Sequence, residues 1–189
     1  MLASDLLRLQ ARNNAWSNHR LLTACERLAS GEFEATRVSF FPSIQKTLNH
    51  ILIVDWYYLD GLEQGGRGPA VYADELPFPR LADLAAAQRA CDQRLMRFCD
   101  DLGEADLVRS LALDRGEHGV THESVHAVLS HLFAHQIHHR GQVHAMLAGT
   151  TVPPPQLDEF FLAWDAPLRR RELEELGLPP DAPPAAGPG

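Results

Sequence analysis

Apolar side chains recur every three or four residues in four long stretches of the chain, and the alternating pattern of a strand is nearly absent. This periodicity predicts helices over about residues 5–28, 43–63, 80–102 and 121–148. An irregular segment over about residues 103–120 precedes the last of them. Four amphipathic helices of this length favour an all-α four-helix bundle, a fold whose core can hold metal ligands from facing helices.

Short polar side chains mark where these helices begin. Ser4, Ser43 and Thr121 are the expected caps of the first, second and fourth helices, because a hydroxyl there can accept a free backbone N–H. In the irregular segment, Leu111 and Leu113 fit a short extended piece.

The length of 189 residues fits one domain with a sizeable core. We expect the bundle to occupy residues 1–165. Residues 166–189 form a C-terminal extension, basic, then acidic, then rich in Pro, Ala and Gly. This extension lacks the apolar content needed to fold, so we expect it to be largely mobile.

Charge and composition exclude several partners. The net charge is −8, and the only basic run, Arg169 to Arg171, is followed at once by glutamates, which argues against nucleic acid. No apolar run reaches transmembrane length and the first residues do not resemble a signal peptide, so no membrane partner is expected. Three cysteines without a CxxC pair fit a reducing compartment, and the sequence therefore predicts a cytoplasmic protein.

Eight of the ten histidines lie between His118 and His144, in and just before the fourth predicted helix. Helical phase places His139 in the middle of the apolar stripe of this helix, with His135 one turn earlier on the same face. Two imidazoles four residues apart can share one metal ion, and an imidazole in an apolar stripe needs partners for both nitrogens. The pair therefore predicts a metal site, with a hydrogen-bonded core histidine as the alternative.

A third ligand has to come from another helix. The second helix offers His50, which lies beside the apolar stripe of that helix. Spacing alone does not bring His50 to the fourth helix, and an ordinary histidine at the edge of the core fits the pattern equally well. Asp55 lies five residues further on and points elsewhere around the helix, so no carboxylate joins the set.

A rival motif lies just upstream, where His122, Glu123 and His126 match HExxH. In zinc metallopeptidases this spacing puts two ligands and a general base on one helical turn. Here the motif begins at the expected helix start, lacks the longer HExxHxxGxxH extension, and aims His126 away from the stripe. A peptidase is therefore a minor alternative, and the sequence assigns no role to His118, His122 and His126.

The stretch from Leu129 to Leu147 contains H-x-x-x-H-R-G-Q, from His135 to Gln142, and resembles the last core helix of the DinB/YfiT-like family. Residues 11–22, 48–52 and 157–158 are similar to other segments of that family. The resemblance covers roughly residues 1–165. It implies a four-helix bundle, often a homodimer, with zinc or nickel on His50, His135 and His139.

The resemblance implies no single reaction. Some relatives look like transferases or isomerases that use a low-molecular-weight thiol, and others are called metal-dependent hydrolases. Three neutral imidazoles leave a divalent ion an open position for water or a thiol. We therefore expect an enzyme that activates a thiol or water toward a small-molecule substrate. The alternative is a non-catalytic protein for metal binding, sensing or stress response.

Arg140 is the one candidate for binding a cofactor or substrate. Its planar guanidinium group can donate hydrogen bonds to the carboxylate of a substrate or of a thiol cofactor. A salt bridge at the bundle surface explains the residue equally well.

Overall fold

The structure is a computed structural model, and it describes residues 2–179. This part of the chain is mostly helical and contains four long helices, which confirms the all-α bundle. A small antiparallel hairpin precedes the fourth helix, and a shorter helix follows it. The elements are α1 (Ala3–Cys25), α2 (Ile44–Glu63), α3 (Leu81–Asp100), β1 (Ser110–Asp114), β2 (Val120–Ser124), α4 (Val125–Leu147) and α5 (Ala166–Glu175).

The helix starts follow local hydrogen bonding. Ser43 caps α2, as predicted, because its hydroxyl accepts the N–H of Lys46 at 3.1 Å. The predicted cap of α1 is wrong, since the helix already begins at Ala3. The carboxylate of Asp5 instead accepts the N–H of Leu2 at 3.0 Å, before the first turn.

The predicted start of α4 at Thr121 is also wrong. Residues 120–124 form β2, in which Thr121 pairs with Leu113 of β1. The buried side chains of Leu111 and Leu113 hold β1 on the bundle. Pairing of residues 120–124 with β1 therefore stabilises the chain more than an extra turn of α4 would. Ser124 caps the helix instead, by accepting the N–H of Ala127 at 3.2 Å.

The four long helices form a ring in which α1 lies against α3 and α2 lies against α4. Contacts between α2 and α3 and between α1 and α4 close it. Aliphatic side chains from these helices fill the centre, and α4 and α2 therefore present facing side chains to each other. No helix in residues 2–179 is both long and apolar enough to cross a bilayer.

The chain beyond residue 165 contributes to a second, smaller core. Leu173 of α5 is 4% exposed and packs with Trp16 of α1 and with Phe160. The expectation that this segment lacks the apolar content to fold is therefore wrong for α5. Residues 180–189, which share the prediction of mobility, lie outside the described residues. The division of the chain at residue 165 stays a prediction.

Candidate metal centre

Three imidazoles from two helices meet between α2 and α4. One nitrogen of each of His50, His135 and His139 lies within 4.8 Å of the others. The Nε2 atoms of His50 and His135 are 3.1 Å apart. Ligand nitrogens about 2.0–2.1 Å from a tetrahedral ion are themselves a little over 3 Å apart. The packing of α2 on α4 thus brings together the three side chains that the family resemblance implies.

All three rings favour the neutral form. Burial, together with charge repulsion from His139, lowers the pKa of His135 to about 3 and that of His50 to about 4. Burial also lowers the pKa of His139. Neutral imidazoles keep the lone pairs that a metal ion needs, so no proton has to be displaced near neutral pH.

Hydrogen bonds orient the cluster only in part. His139 Nδ1 lies 2.8 Å from Gln142 Oε1, an arrangement that leaves Nε2 of the ring for a ligand role. Within residues 2–179, the buried Nδ1 of His135 has no hydrogen-bond partner. An imidazole that is buried and incompletely satisfied by the protein fits a site that holds an ion.

The two flanks of the cluster differ in character. On one side the ring of Phe41 lies 4.2 Å from His50 and 5.7 Å from His139, between ring centroids. On the other side His131 lies 6.4 Å from His135 and 5.0 Å from Tyr58. The site therefore has an apolar wall and a polar wall.

Among residues 2–179, no carboxylate belongs to the cluster. Asp55 turns into the bundle interior, where its carboxylate accepts hydrogen bonds from Gln88 at 2.8 Å and from Gln136. The three imidazoles thus stand as a neutral set, as the spacing predicts. A divalent ion bound to them would keep its full charge.

Arg140 lies inside the bundle, and the alternative of a surface salt bridge is wrong. The side chain is 3% exposed and donates to the amide oxygens of Asn14, Asn18 and Gln136. With the buried carboxyls of Asp55 and Asp92 these side chains form a polar interior network. Sequence reasoning missed this network, although its signal was present in polar residues within otherwise apolar helical stripes.

The rival motif is not on one helical turn. His122 and Glu123 belong to β2, and His126 is exposed in the first turn of α4. The peptidase geometry expected of HExxH is therefore wrong for this chain. Among the described residues, His118, His122 and His126 join no cluster of three potential ligands.

The cysteines offer no activated nucleophile. Cys25, Cys91 and Cys99 are free and buried. Burial raises the pKa of Cys25 and of Cys99 to about 12, and raises that of Cys91 well above its usual value. A thiolate at any of them is strongly disfavoured.

Comparison with known proteins gives a family and a fold. The sequence model of the DinB family matches residues 1–175. The crystal structure of a DinB-like protein from Bacillus cereus is similar, with 19% sequence identity and a TM-score of 0.57. The match covers 77% of this chain and 92% of the Bacillus cereus chain. The crystal structure of a DinB-like protein (YjoA) from Bacillus subtilis has 16% sequence identity and a TM-score of 0.54. That match covers 76% of this chain and 95% of the Bacillus subtilis chain. These identities show the fold alone, and no curated protein matches the chain.

Proposed function

The chain belongs to the DinB family, and on that premise we propose that His50, His135 and His139 together hold one divalent metal ion. The observation that carries the proposal is the convergence of three imidazole nitrogens from α2 and α4 within 4.8 Å. Their lowered pKa values keep the lone pairs free, and no carboxylate in the described part of the chain joins the three imidazoles. Imidazole ligands suit zinc and nickel, the two ions proposed here.

We propose further that the site serves an enzyme acting on a small molecule. A bound divalent ion supplies Lewis acidity, which brings the pKa of a water or low-molecular-weight thiol ligand toward neutrality. Gln142 orients His139 through Nδ1, and Phe41 shields one flank from water. The absence of a carboxylate among the three ligands favours a transferase or hydrolase over redox chemistry.

Two further parts of the proposal rest on the family resemblance, on a surface groove and on the cysteines. We propose a homodimer, since exposed Ile137 and Phe161 line one groove beside Gly141. We propose a cytoplasmic location, since all three cysteines are free.

Elemental analysis of protein prepared without a histidine tag tests the metal site. We expect the wild type to carry about one zinc or nickel per chain, in line with three imidazole ligands and one open position. His50→Ala and His139→Ala should each lose the metal, while circular dichroism shows the helices intact.

Two variants serve as controls. His126→Ala removes an exposed imidazole from the same helix, and Glu123→Ala removes the would-be base of the HExxH motif. Both should retain the wild-type metal content. The reverse pattern, with metal lost in His126→Ala and kept in His50→Ala, would refute the three-histidine site.

A further inference from the structure

A cavity lies between α1 and α3, away from the three histidines of the proposed metal centre. Its volume is about 150 Å³, and the end of α5 contributes to its lining. The apolar side chains of the lining are Ala15, Leu22, Ala85, Met96 and Leu176. One water molecule takes up about 30 Å³, and a cavity of about this size admits a molecule as large as benzene. The space therefore suits a small ligand with an apolar body of about six heavy atoms.

A buried carboxyl group belongs to the same lining. Asp92 of α3 lines the cavity and is 5% exposed. Its Oδ1 accepts three hydrogen bonds, from Asn14 at 3.3 Å, Asn18 at 2.9 Å and Gln88 at 3.2 Å. Within residues 2–179 its Oδ2 accepts none, and that atom is not fully enclosed by the protein. A buried carboxyl oxygen that keeps free lone pairs at a cavity can accept a hydrogen bond from a ligand.

The charges around the cavity favour a cationic donor. Glu26 and Glu175 lie at exposed positions of the lining, where the bases among the described residues are Arg89 and His19. His19 is already engaged, because its Nε2 lies 2.9 Å from Oε2 of Glu175. With Asp92, three carboxyl groups therefore stand against one guanidinium.

We propose that this cavity binds a small primary amine, with the ammonium group on Oδ2 of Asp92 and the apolar body against the apolar side chains of α1, α3 and α5. An ammonium group is compact and can donate to a single free oxygen. A planar guanidinium suits two acceptors side by side, and Oδ1 is already occupied. The site is independent of the proposed function, because the three histidines lie between α2 and α4.

Benzylamine and benzyl alcohol are matched probes, because they share the apolar ring and differ in the group that meets Asp92. An NMR titration of isotope-labelled protein locates each probe and measures its dissociation constant. At pH 8.5 we expect benzylamine to bind in the cavity about tenfold or more tightly than benzyl alcohol, the size of a charged hydrogen-bonded pair. Asp92→Asn should remove that preference and still bind benzyl alcohol. Asp83→Asn, which removes an exposed carboxylate from the same helix, should keep the preference.

Ala85→Met tests the cavity without changing the carboxyl group, and so remains informative if Asp92→Asn fails to fold. Ala85 is half-buried in the lining, so a longer side chain there fills the space. Both probes should lose their binding. Ala86→Met, at the exposed neighbouring position, should bind both probes like wild type.

The affinity for benzylamine should also depend on pH, because an ionised Asp92 accepts the ammonium group best. Burial, together with the charge of nearby Asp55, raises the pKa of Asp92 to about 8. From pH 8.5 to pH 7 the ionised fraction falls about eightfold, and the affinity should fall with it. The other charged or titratable groups that face Asp92 are Arg140 from inside the bundle and His19, Glu26, Arg89 and Glu175 around the cavity. The affinity of Asp92→Asn should not follow this profile.

His139→Ala separates the cavity from the metal centre, since an amine nitrogen is itself a metal ligand. We expect this variant to bind benzylamine like wild type. Loss of binding in His139→Ala, or an unchanged preference in Asp92→Asn, would overturn the proposal. So would unchanged binding in Ala85→Met, or a wild-type protein in which benzylamine does not saturate the cavity.

Discussion

Asp92 and Asp55 lie inside the bundle, where both act electrostatically on the buried guanidinium of Arg140 and accept hydrogen bonds from buried side-chain amides. The carboxylate of Asp92 accepts hydrogen bonds from Asn18 at 2.9 Å and Gln88 at 3.2 Å. Burial, together with the charge of nearby Asp55, raises the pKa of Asp92 to about 8, and burial raises that of Asp55 to about 7. Because two carboxyls share one guanidinium, one of them keeps its proton near neutral pH.

The protonated carboxyl makes the stability of the fold depend on pH. In the unfolded chain an Asp titrates at about 3.9, so the folded state binds more protons than the unfolded state between about pH 4 and pH 8. The stability contributed by protonated Asp92 is therefore present at low pH and is lost as the pH rises through its folded pKa of about 8.

Asp92→Asn isolates this effect, because asparagine keeps an acceptor oxygen and cannot ionise. We expect its free energy of unfolding to lie closest to that of wild type near pH 4, because the unfolded aspartate ionises above that pH and wild type alone loses stability from there upward. At about pH 8.5 the variant should be the more stable of the two. Urea unfolding at both pH values measures the difference, and a constant difference between the two proteins would contradict the assignment.

At the scale of the helix, Arg140 is the side chain that joins α4 to α1. It donates to Asn14 and Asn18 on α1 and, within α4, to Gln136. Arg140→Met removes the cation and leaves buried acceptors and carboxyls without it, so we expect a loss of about 3–5 kcal/mol in the free energy of unfolding. Arg12→Met, which breaks an exposed ion pair of α1, should cost no more than about 1 kcal/mol. Urea unfolding measures both losses. If the two variants lost similar amounts of unfolding free energy, the interior network would not contribute to stability.

Local pattern predicted the helices well and their boundaries less well. The periodicity of α2 and the cap at Ser43 are properties of neighbouring residues, and both were confirmed. Thr121 looked like a cap because it precedes an apolar run. It instead lies in β2, because pairing with Leu113 is a tertiary contact that local sequence does not contain.

The metal site, too, could be predicted where it depends on local pattern and not where it depends on contacts between helices. His135 and His139 share one face of α4, so helical phase alone could pair them. His50 reaches them only because α2 packs on α4, and it was the family resemblance, not spacing, that supplied it. The interior network escaped prediction for a similar reason: Arg140 and Asp55 were visible as polar residues, but their partners come from other helices.

At the scale of the whole molecule, α5 and the segment before it cover the outer face of α1. The rings of Trp16 and Phe160 lie 5.5 Å apart, and Leu173 packs with both. The guanidinium carbon of Arg20 lies 4.4 Å from the ring centre of Trp16, and Arg20 donates to carboxylates of the covering segment, including Glu172 at 3.0 Å. These contacts place α5 on α1, whereas the three histidines lie between α2 and α4.

Leu173→Ala tests whether α5 folds as one unit with the bundle. If it does, deleting this buried side chain should lower the free energy of unfolding by about 2–5 kcal/mol in a single transition. Leu168→Ala, on the same helix at a position 51% exposed, should change it by less than about 0.5 kcal/mol. Metal content should stay at the wild-type level in both, because α5 contacts α1 while the site lies between α2 and α4. If Leu173→Ala unfolds like wild type, α5 does not stabilise the bundle, and residues 1–165 are the folding unit that the sequence predicts.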